Sequence, residues 1–306
     1  MAHNCPRISW RRSWGIKQMY YTSHHWQPTR ILRVGEAEET STGVTRVLTD
    51  AGWAFCKPIG NRQGEQVLAC EWVCIRLARW LGLQTFRAAI IDLAEEATFD
   101  LPEHKGQKYH ARAGPCFLTE STPGRQWNRD RSDLDLLVNP QDITLLVALD
   151  TWVRNRDRRH PDRGVRKPNY GNVFLAEVED SPDRFRLVAM DHTHCFDNGN
   201  LHAKLANIDN VRDPLVYGLF PQFIPYMNPL IAAAAAAKLK TLEKADVVSI
   251  IQEVPAQWEV DQRARDVWAE LIFQRARHLA GTLAESLEHE IAAMTAKPST
   301  QASPPD

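Results

Sequence analysis

Between residues 31 and 57 short apolar runs alternate with polar turns. The runs at 31–34, 44–48 and 53–56 are separated by the segment from Gly35 to Gly43 and by Asp50-Ala51-Gly52, the pattern of antiparallel strands. The period then changes. Val67, Cys70, Cys74, Leu77, Ala78 and Leu81 recur at helical spacing, which predicts a helix over 64–81 stopped by Gly82. Further strands are predicted at 86–93 and 115–119. The remainder is mainly helical. Asn139-Pro140 caps a helix with Ile143, Leu146, Val147 and Val153 on one face, Asn228-Pro229 opens another, and 261–287 forms a third around Val267, Trp268, Leu271, Ile272, Leu279 and Leu283. Two short strands, 173–175 and 185–190, interrupt this half and are joined by a turn at Ser181-Pro182-Asp183. Strands first and helices later predict an α+β chain of two lobes, with a small, mainly β N-lobe at 31–120 and a larger helical C-lobe at 121–295.

Composition adds exclusions. Of 306 residues, 43% are hydrophobic and 25% charged, which excludes a wholly disordered or fibrous chain. The net charge of −1 shows no global excess for nucleic acid or an anionic membrane. No apolar stretch approaches the roughly 18 residues of a membrane span. Residues 1–30 hold five basic residues, no acidic one and no apolar signal-type core, so they read as a poorly ordered basic tail. Residues 296–306, rich in Pro, Ser and Thr, read as a second, disordered tail. Six cysteines stand singly, with no close pair of the zinc or thioredoxin type, and the expected compartment is the reducing cytoplasm.

Candidate chemistry begins at Lys57. Strand alternation puts Trp53, Phe55 and Lys57 on one face, read as the core side. Glu71 interrupts the apolar face of the following helix between Cys70 and Cys74. A charge in such a place needs a partner. Pairing Lys57 with Glu71 satisfies both and leaves the ammonium able to hold a phosphate; two unrelated surface charges are the rival reading. Farther on, Asp157 lies in a polar loop after a helix, Asn172 opens one strand, and Asp191 follows the next. Phosphoryl transfer uses such a set: one carboxylate orients the attacking hydroxyl, while an amide and a second carboxylate hold Mg²⁺. A hairpin places Asn172 and Asp191 at the same end. Asn169 rivals Asn172, which is preferred because the apolar run starts directly after it.

Other readings compete locally. His192, His194 and Cys195 beside Asp191, with His202, admit a transition-metal hydrolase, although no second cluster with metal spacing accompanies them. Otherwise His192 is expected to brace the loop near Asp157. Asp150 is either an orienting group or an ordinary helix carboxylate.

The ordered series Lys57, Glu71, Asp157, Asn172, Asp191 resembles the HipA-like kinases, bacterial relatives of the protein-kinase fold. The likeness rests on Arg76-Leu77-Ala78-Arg79-Trp80-Leu81-Gly82-Leu83 after Glu71, on Asp150-Thr151-Trp152-Val153-Arg154-Asn155-Arg156-Asp157-Arg158, on Asp191-His192-Thr193-His194-Cys195-Phe196, and on Val254-Pro255-Ala256-Gln257-Trp258 followed by Leu271 to Arg277. It spans roughly residues 44–285. The resemblance implies a bilobal protein-kinase-like fold, with ATP and Mg²⁺ as cofactors and a hydroxyl acceptor, a Ser or Thr on a protein. It implies that Lys57 contacts the phosphates with Glu71 as its partner, that Asp157 is the catalytic carboxylate, and that Asn172 and Asp191 are the Mg²⁺ ligands. It makes 114–120, with Phe117, Leu118 and Glu120, the hinge that meets adenine, and 35–43, including Gly43, the phosphate-covering loop.

Two features depart from the family. Asp157 and Asn172 are 15 positions apart, against about five in protein kinases, so 159–168 reads as an insert. The phosphate loop carries Glu36, Glu38 and Glu39, and acid there disfavours phosphate. Its alternative contacts are Ser41, Thr42 and the backbone. A nucleotide-binding regulator without turnover is therefore the alternative function, and small-molecule kinases or nucleotidyltransferases use the same metal geometry. Between 154 and 167, Arg154, Arg156, Arg158, Arg159, Arg163, Arg166 and Lys167 outnumber Asp157 and Asp162. This local excess predicts either an anion trap beside Asp157 or a solvated insert.

Overall fold

The structure, a computed structural model, describes residues 26–37, 43–162, 164 and 167–296. The first lobe contains β1 (Ile31–Ala37), β2 (Thr45–Thr49), β3 (Gly52–Lys57), α1 (Gln66–Leu81), β4 (Ala88–Leu93), β5 (Phe99–His104), β6 (Gln107–Ala111) and β7 (Gly114–Glu120). Five strands form an antiparallel sheet in the order β1-β2-β3-β7-β4. Alternation decides its two faces. Val47, Ala54, Cys56, Cys116 and Leu118 point into a small core with Ile91 and Leu93. Trp26 joins that core, and Thr29 N–H donates to Asp50 Oδ1 at 2.8 Å, so the end of the segment read as a tail is packed against the sheet. The β5–β6 hairpin, inserted before β7, lacks an apolar run and was not predicted.

Helix α1 lies between this sheet and the second lobe. Its buried positions include Val67, Cys70, Cys74, Leu77, Ala78 and Leu81, the predicted stripe. Gly82 ends it at φ 100°, a left-handed conformation that costs glycine little, and its N–H donates to Ala78 O and Arg79 O. Trp72 Nε1 and Arg76 donate to Glu253 at 2.9 and 2.8 Å, tying α1 to the helical lobe. The five described cysteines are buried and free.

The second lobe holds β8 (Gly124–Gln126), α2 (Arg131–Asp135), α3 (Asp142–Val153), β9 (Val173–Val178), β10 (Ser181–Ala189), α4 (Cys195–Asn198), α5 (Ile208–Val211), α6 (Pro229–Lys240), α7 (Lys244–Gln252) and α8 (Gln262–Ala296). The β9–β10 hairpin is antiparallel, pairing Val173 with Ala189, and β8 completes a three-stranded sheet. Ser181 and Pro182, read as the turn, belong to β10. Helix α3 is buried nearly all round and carries the lobe's core with α6 and α8. Each fully buried Leu there contributes on the order of 2 kcal/mol of apolar transfer. Asn228 caps α6 as predicted, accepting from Leu230 N–H at 2.9 Å. Asn139 does not cap α3. Its amide donates to Asp142 Oδ2 at 2.7 Å and Leu187 O at 3.0 Å and accepts Leu187 N–H, so it pins β10 to the helix start. Among the described residues, no helix is long and apolar enough to cross a membrane.

Candidate functional site

A cleft of about 400 Å³ runs between the sheet of the first lobe and the β9–β10 hairpin. Val44, Phe55, Phe86, Phe117 and Phe174 line it with apolar surface, and Lys57, Glu71, Asn172 and Asp191 converge within it. Lys57 ends β3 on the face it shares with Phe55. That face forms the cleft roof rather than the core, because Ala54 and Cys56 already fill the core side. Lys57 Nζ bonds Glu71 Oε1 and lies 3.6 Å from Asp191 Oδ1. Burial opposes the ammonium charge, but Asp191 and Glu71 outweigh it and hold the lysine above its ordinary pKa. Glu71 shows the mirror case: burial favours the neutral acid, yet Lys57 and His192 keep its carboxyl well below the usual range. The His192 backbone N–H also donates to Glu71 Oε2 at 3.0 Å. Glu71 therefore joins α1, β3 and the segment after β10.

Asp157 follows α3, where Arg154 at φ 55° ends the helix. Its Oδ2 accepts from Asn172 Nδ2 at 2.7 Å and from Asn169 Nδ2 at 3.3 Å. Both candidate asparagines thus reach the same carboxylate, and Asn172 is the one that lines the cleft. A carboxylate only accepts, so the Asn172 amide nitrogen is committed to Asp157 while its oxygen remains the atom suited to a cation. Asp191 sits just past β10 at φ 54°, a strained backbone held where its side chain enters the cleft. One long cleft, one lysine–glutamate pair and three polar groups from a loop and a hairpin make a phosphate- and cation-handling arrangement.

A family model described as HipA-like kinase matches residues 49–286. The chain belongs to the HipA-like kinase family. The matched region includes all five residues of the Lys57-to-Asp191 series. A solved structure, the Helicobacter pylori proinflammatory kinase CtkA, is similar in fold, with a TM-score of 0.51 at 11% identity over 88% of this chain and 98% of that one. No curated protein matched the sequence.

Within this HipA-like kinase several expectations are revised. Residues 114–120 form β7 inside the sheet, not the connection between lobes, which follows at 121–123. Phe117 and Glu120 line the cleft, but Leu118 points into the small core, and Gly43, whose absent side chain would meet Leu101, is not in the lining. The N–H groups of Glu120 and Ser121 are committed to Arg87 O and Trp53 O. Glu38, Glu39, Ser41 and Thr42 lie outside the described residues.

Among the described basic residues near Asp157, Arg154, Arg158 and Arg159 are interior struts rather than parts of an anion trap. Arg158 is fully buried and donates to Asp150 Oδ2 at 2.6 Å and Met190 O at 3.0 Å. Arg154 donates to Asp213 Oδ2 at 2.8 Å, and Arg159 to Leu219 O. Sequence counting sees their charge but not their burial, and a buried guanidinium must be paired. Arg163 and Arg166 lie outside the described residues. Asp150 also accepts from Asn155 at 3.0 Å, and that asparagine accepts Asp157 N–H, so Asp150 orients the loop. Gly218, at φ 75°, is required beside it, since a Cβ there would stand 2.2 Å from Asp150 Oδ2.

The histidines exchange roles. His192 is buried against Glu71, with Nδ1 3.5 Å from Oε2, whereas His194 approaches Asp157. Cys195 is buried in the main core, and His202 pairs with Asp197 at 3.1 Å. The described residues contain no His/Cys/Asp/Glu group of the kind that holds a transition metal, against the hydrolase reading. Sequence reasoning missed Phe55, Phe86 and Phe174 as cleft residues; alternation from Lys57 and Asn172 pointed to Phe55 and Phe174.

Proposed function

We propose that this kinase transfers the γ-phosphoryl group of ATP, with Mg²⁺, to a hydroxyl, and that the acceptor is a Ser or Thr of a protein. The observation that carries the reading is the convergence of Lys57–Glu71, Asn172 and Asp191 on one cleft, with Asp157 joined to it by the hydrogen bond from Asn172. The donor set suits Mg²⁺, which binds through one or two carboxylates and substrate phosphates rather than an all-protein cage. The cleft volume falls in the range of small-molecule sites. Magnesium-bound ATP supplies an activated phosphoryl group.

Each residue then has a task. Lys57, kept protonated, holds phosphate oxygens, and Glu71 holds Lys57 in line. Asn172 Oδ1 and Asp191 hold the cation. Asp157 accepts a hydrogen bond from the attacking hydroxyl and takes its proton as that oxygen bonds the γ-phosphorus and the bond from the γ-phosphorus to the β,γ-bridging oxygen breaks, with ADP leaving. Phe55, Phe117 and Phe174 exclude water around the base. The catalysis is positioning and charge stabilisation, the usual means in phosphoryl transfer.

The test is incubation with Mg²⁺ and ATP labelled at either the α or the γ position, with a randomised Ser/Thr peptide pool as acceptor. Label from γ alone supports phosphoryl transfer, and label from α indicates nucleotidyl transfer. Asp157→Asn should lower transfer by about 10²-fold or more. Transfer unchanged in both Asp157→Asn and Asp191→Ala would overturn the assignment.

A further inference from the structure

Gln126 lines the cleft, yet the proposed catalytic set leaves it without a task. It ends β8 between two anchored neighbours. Arg125 donates to both carboxylate oxygens of Asp133, at 2.9 and 2.6 Å. Trp127 is buried, and its backbone N–H donates to Val173 O at 2.8 Å. Strand pairing sets Gln126 directly opposite Phe174, another cleft residue. The Gln126 side chain is exposed and makes no hydrogen bond among the described residues. Gly171 shows how far that side chain reaches. No left-handed φ calls for a glycine there. A Cβ on Gly171 would stand 3.1 Å from Gln126 Oε1, tighter than an ordinary van der Waals contact. The space a side chain would take is the space beside the amide, one residue from Asn172.

Gln126 therefore reaches from the level of Phe174 to that of Gly171. In a nucleotide the ribose joins the base to the phosphates. With Phe174 at the base and Asn172 at the phosphate-bound cation, the ribose falls beside the Gln126 amide. An amide both donates and accepts, as a hydroxyl does, so it suits a sugar diol. Glu120 and Arg125, which also line the cleft, are already paired with Arg87 and Asp133. We propose that Gln126 is a specificity-determining residue, which hydrogen-bonds the ribose hydroxyls and favours ribonucleotides over deoxyribonucleotides. This contact rests on the proposed ATP reading of the cleft and lies outside the series from Lys57 to Asp191. Because Gln126 is exposed, a missing hydroxyl leaves its amide to water rather than unpaired. The preference is accordingly modest, on the order of fivefold, the worth of one neutral hydrogen bond.

Calorimetric titration of the full chain with ADP, 2′-deoxyADP and 3′-deoxyADP, each with Mg²⁺, tests the contact and needs no acceptor. ADP should bind about fivefold more tightly than at least one of the deoxy forms. Gln126→Leu replaces an exposed side chain by one of similar size, so the fold is kept. It should weaken ADP about fivefold and leave the Kd of that deoxy form unchanged, so that the ratio falls to about one. Equal Kd values for all three ligands in the wild type would overturn the role. A ratio that survives in Gln126→Leu, or a variant that weakens all three ligands alike, would do the same. In each of these cases nucleotide binding persists and the phosphotransferase reading stands. Binding of none of the three to the wild type would overturn that reading together with the role of Gln126.

Discussion

Asn172 donates a 2.7 Å hydrogen bond to Asp157 across fifteen residues of sequence. The backbone bond from Asn169 N–H to Arg158 O brings the two ends of the intervening segment together. A long separation along the chain is therefore compatible with the short separation that a shared phosphate site requires. Asn172→Ala should remove both the brace on Asp157 and one of the two proposed cation ligands, lowering transfer by about 10²-fold. Asn169→Ala, which removes only the 3.3 Å contact, should stay within severalfold of wild type. Labelled-phosphate transfer measures both, and equal losses would show that Asn169 shares the ligand role.

Lys57 and Glu71 act as a unit. In Glu71→Gln the lysine keeps Asp191 as its only described anionic partner. The ammonium should swing toward Asp191 and away from the phosphate position. The expected outcome is a loss of roughly tenfold or more in kcat/KM for ATP, together with a smaller thermal shift on adding ATP and Mg²⁺. A variant that binds and turns over ATP like wild type would remove Glu71 from the site.

Arg158 gives the opposite phenotype. Arg158 and Asp150 are both fully buried, and removing one partner of a buried pair leaves an uncompensated charge. Arg158→Met should destabilise the chain by about 3 kcal/mol, read as a lower denaturant midpoint. The KM for ATP of the folded fraction should not change. A raised KM at unchanged stability would restore the anion-trap reading.

Asp142 makes stability depend on pH. Burial lifts its carboxyl to about 6, despite the Asn139 and Gln84 hydrogen bonds and the nearby Arg186. The native state therefore binds this proton more tightly than the unfolded chain, whose aspartate titrates near 3.9. Stability from this group is greatest below about pH 4 and declines as pH rises through the window from about 4 to 6. Asp142→Asn should raise Tm by about 4 °C at pH 8, an effect on the order of 2 kcal/mol. The gap between variant and wild type should shrink below pH 5. A gap independent of pH would mean that Asp142 carries no such shift.

Much of the site was legible because each of its members breaks a local pattern. Glu71 stands alone on an apolar helix face, Lys57 ends a strand, and Asn172 directly precedes an apolar run. Helix α1 and the strands of the β9–β10 hairpin were legible from their apolar positions, although the turn falls before Ser181 rather than at it. The β5–β6 hairpin was not, because its buried face is only Phe99 and Leu101 opposite Tyr109 and Ala111, two alternating positions per strand among charged and polar neighbours. Arg154, Arg158 and Arg159 were misread because composition records charge and not depth. Their partners Asp213, Leu219 and Met190 lie 32 to 60 residues away, and no local signal connects them.

By itself the sequence determined the order of strands and helices, the two-lobed α+β class and the charged residues that interrupt apolar faces. Periodicity and unpaired charge are local properties, and a chain displays them before it folds. Only the tertiary structure decided which side of β3 faces the cleft, that Leu118 is core, that Arg158 is a strut for Asp150, and that His194 rather than His192 approaches Asp157. These depend on close packing between segments distant in sequence. A distance of an ångström there separates a hydrogen-bonded partner from a neighbour, and no pattern along the chain encodes it.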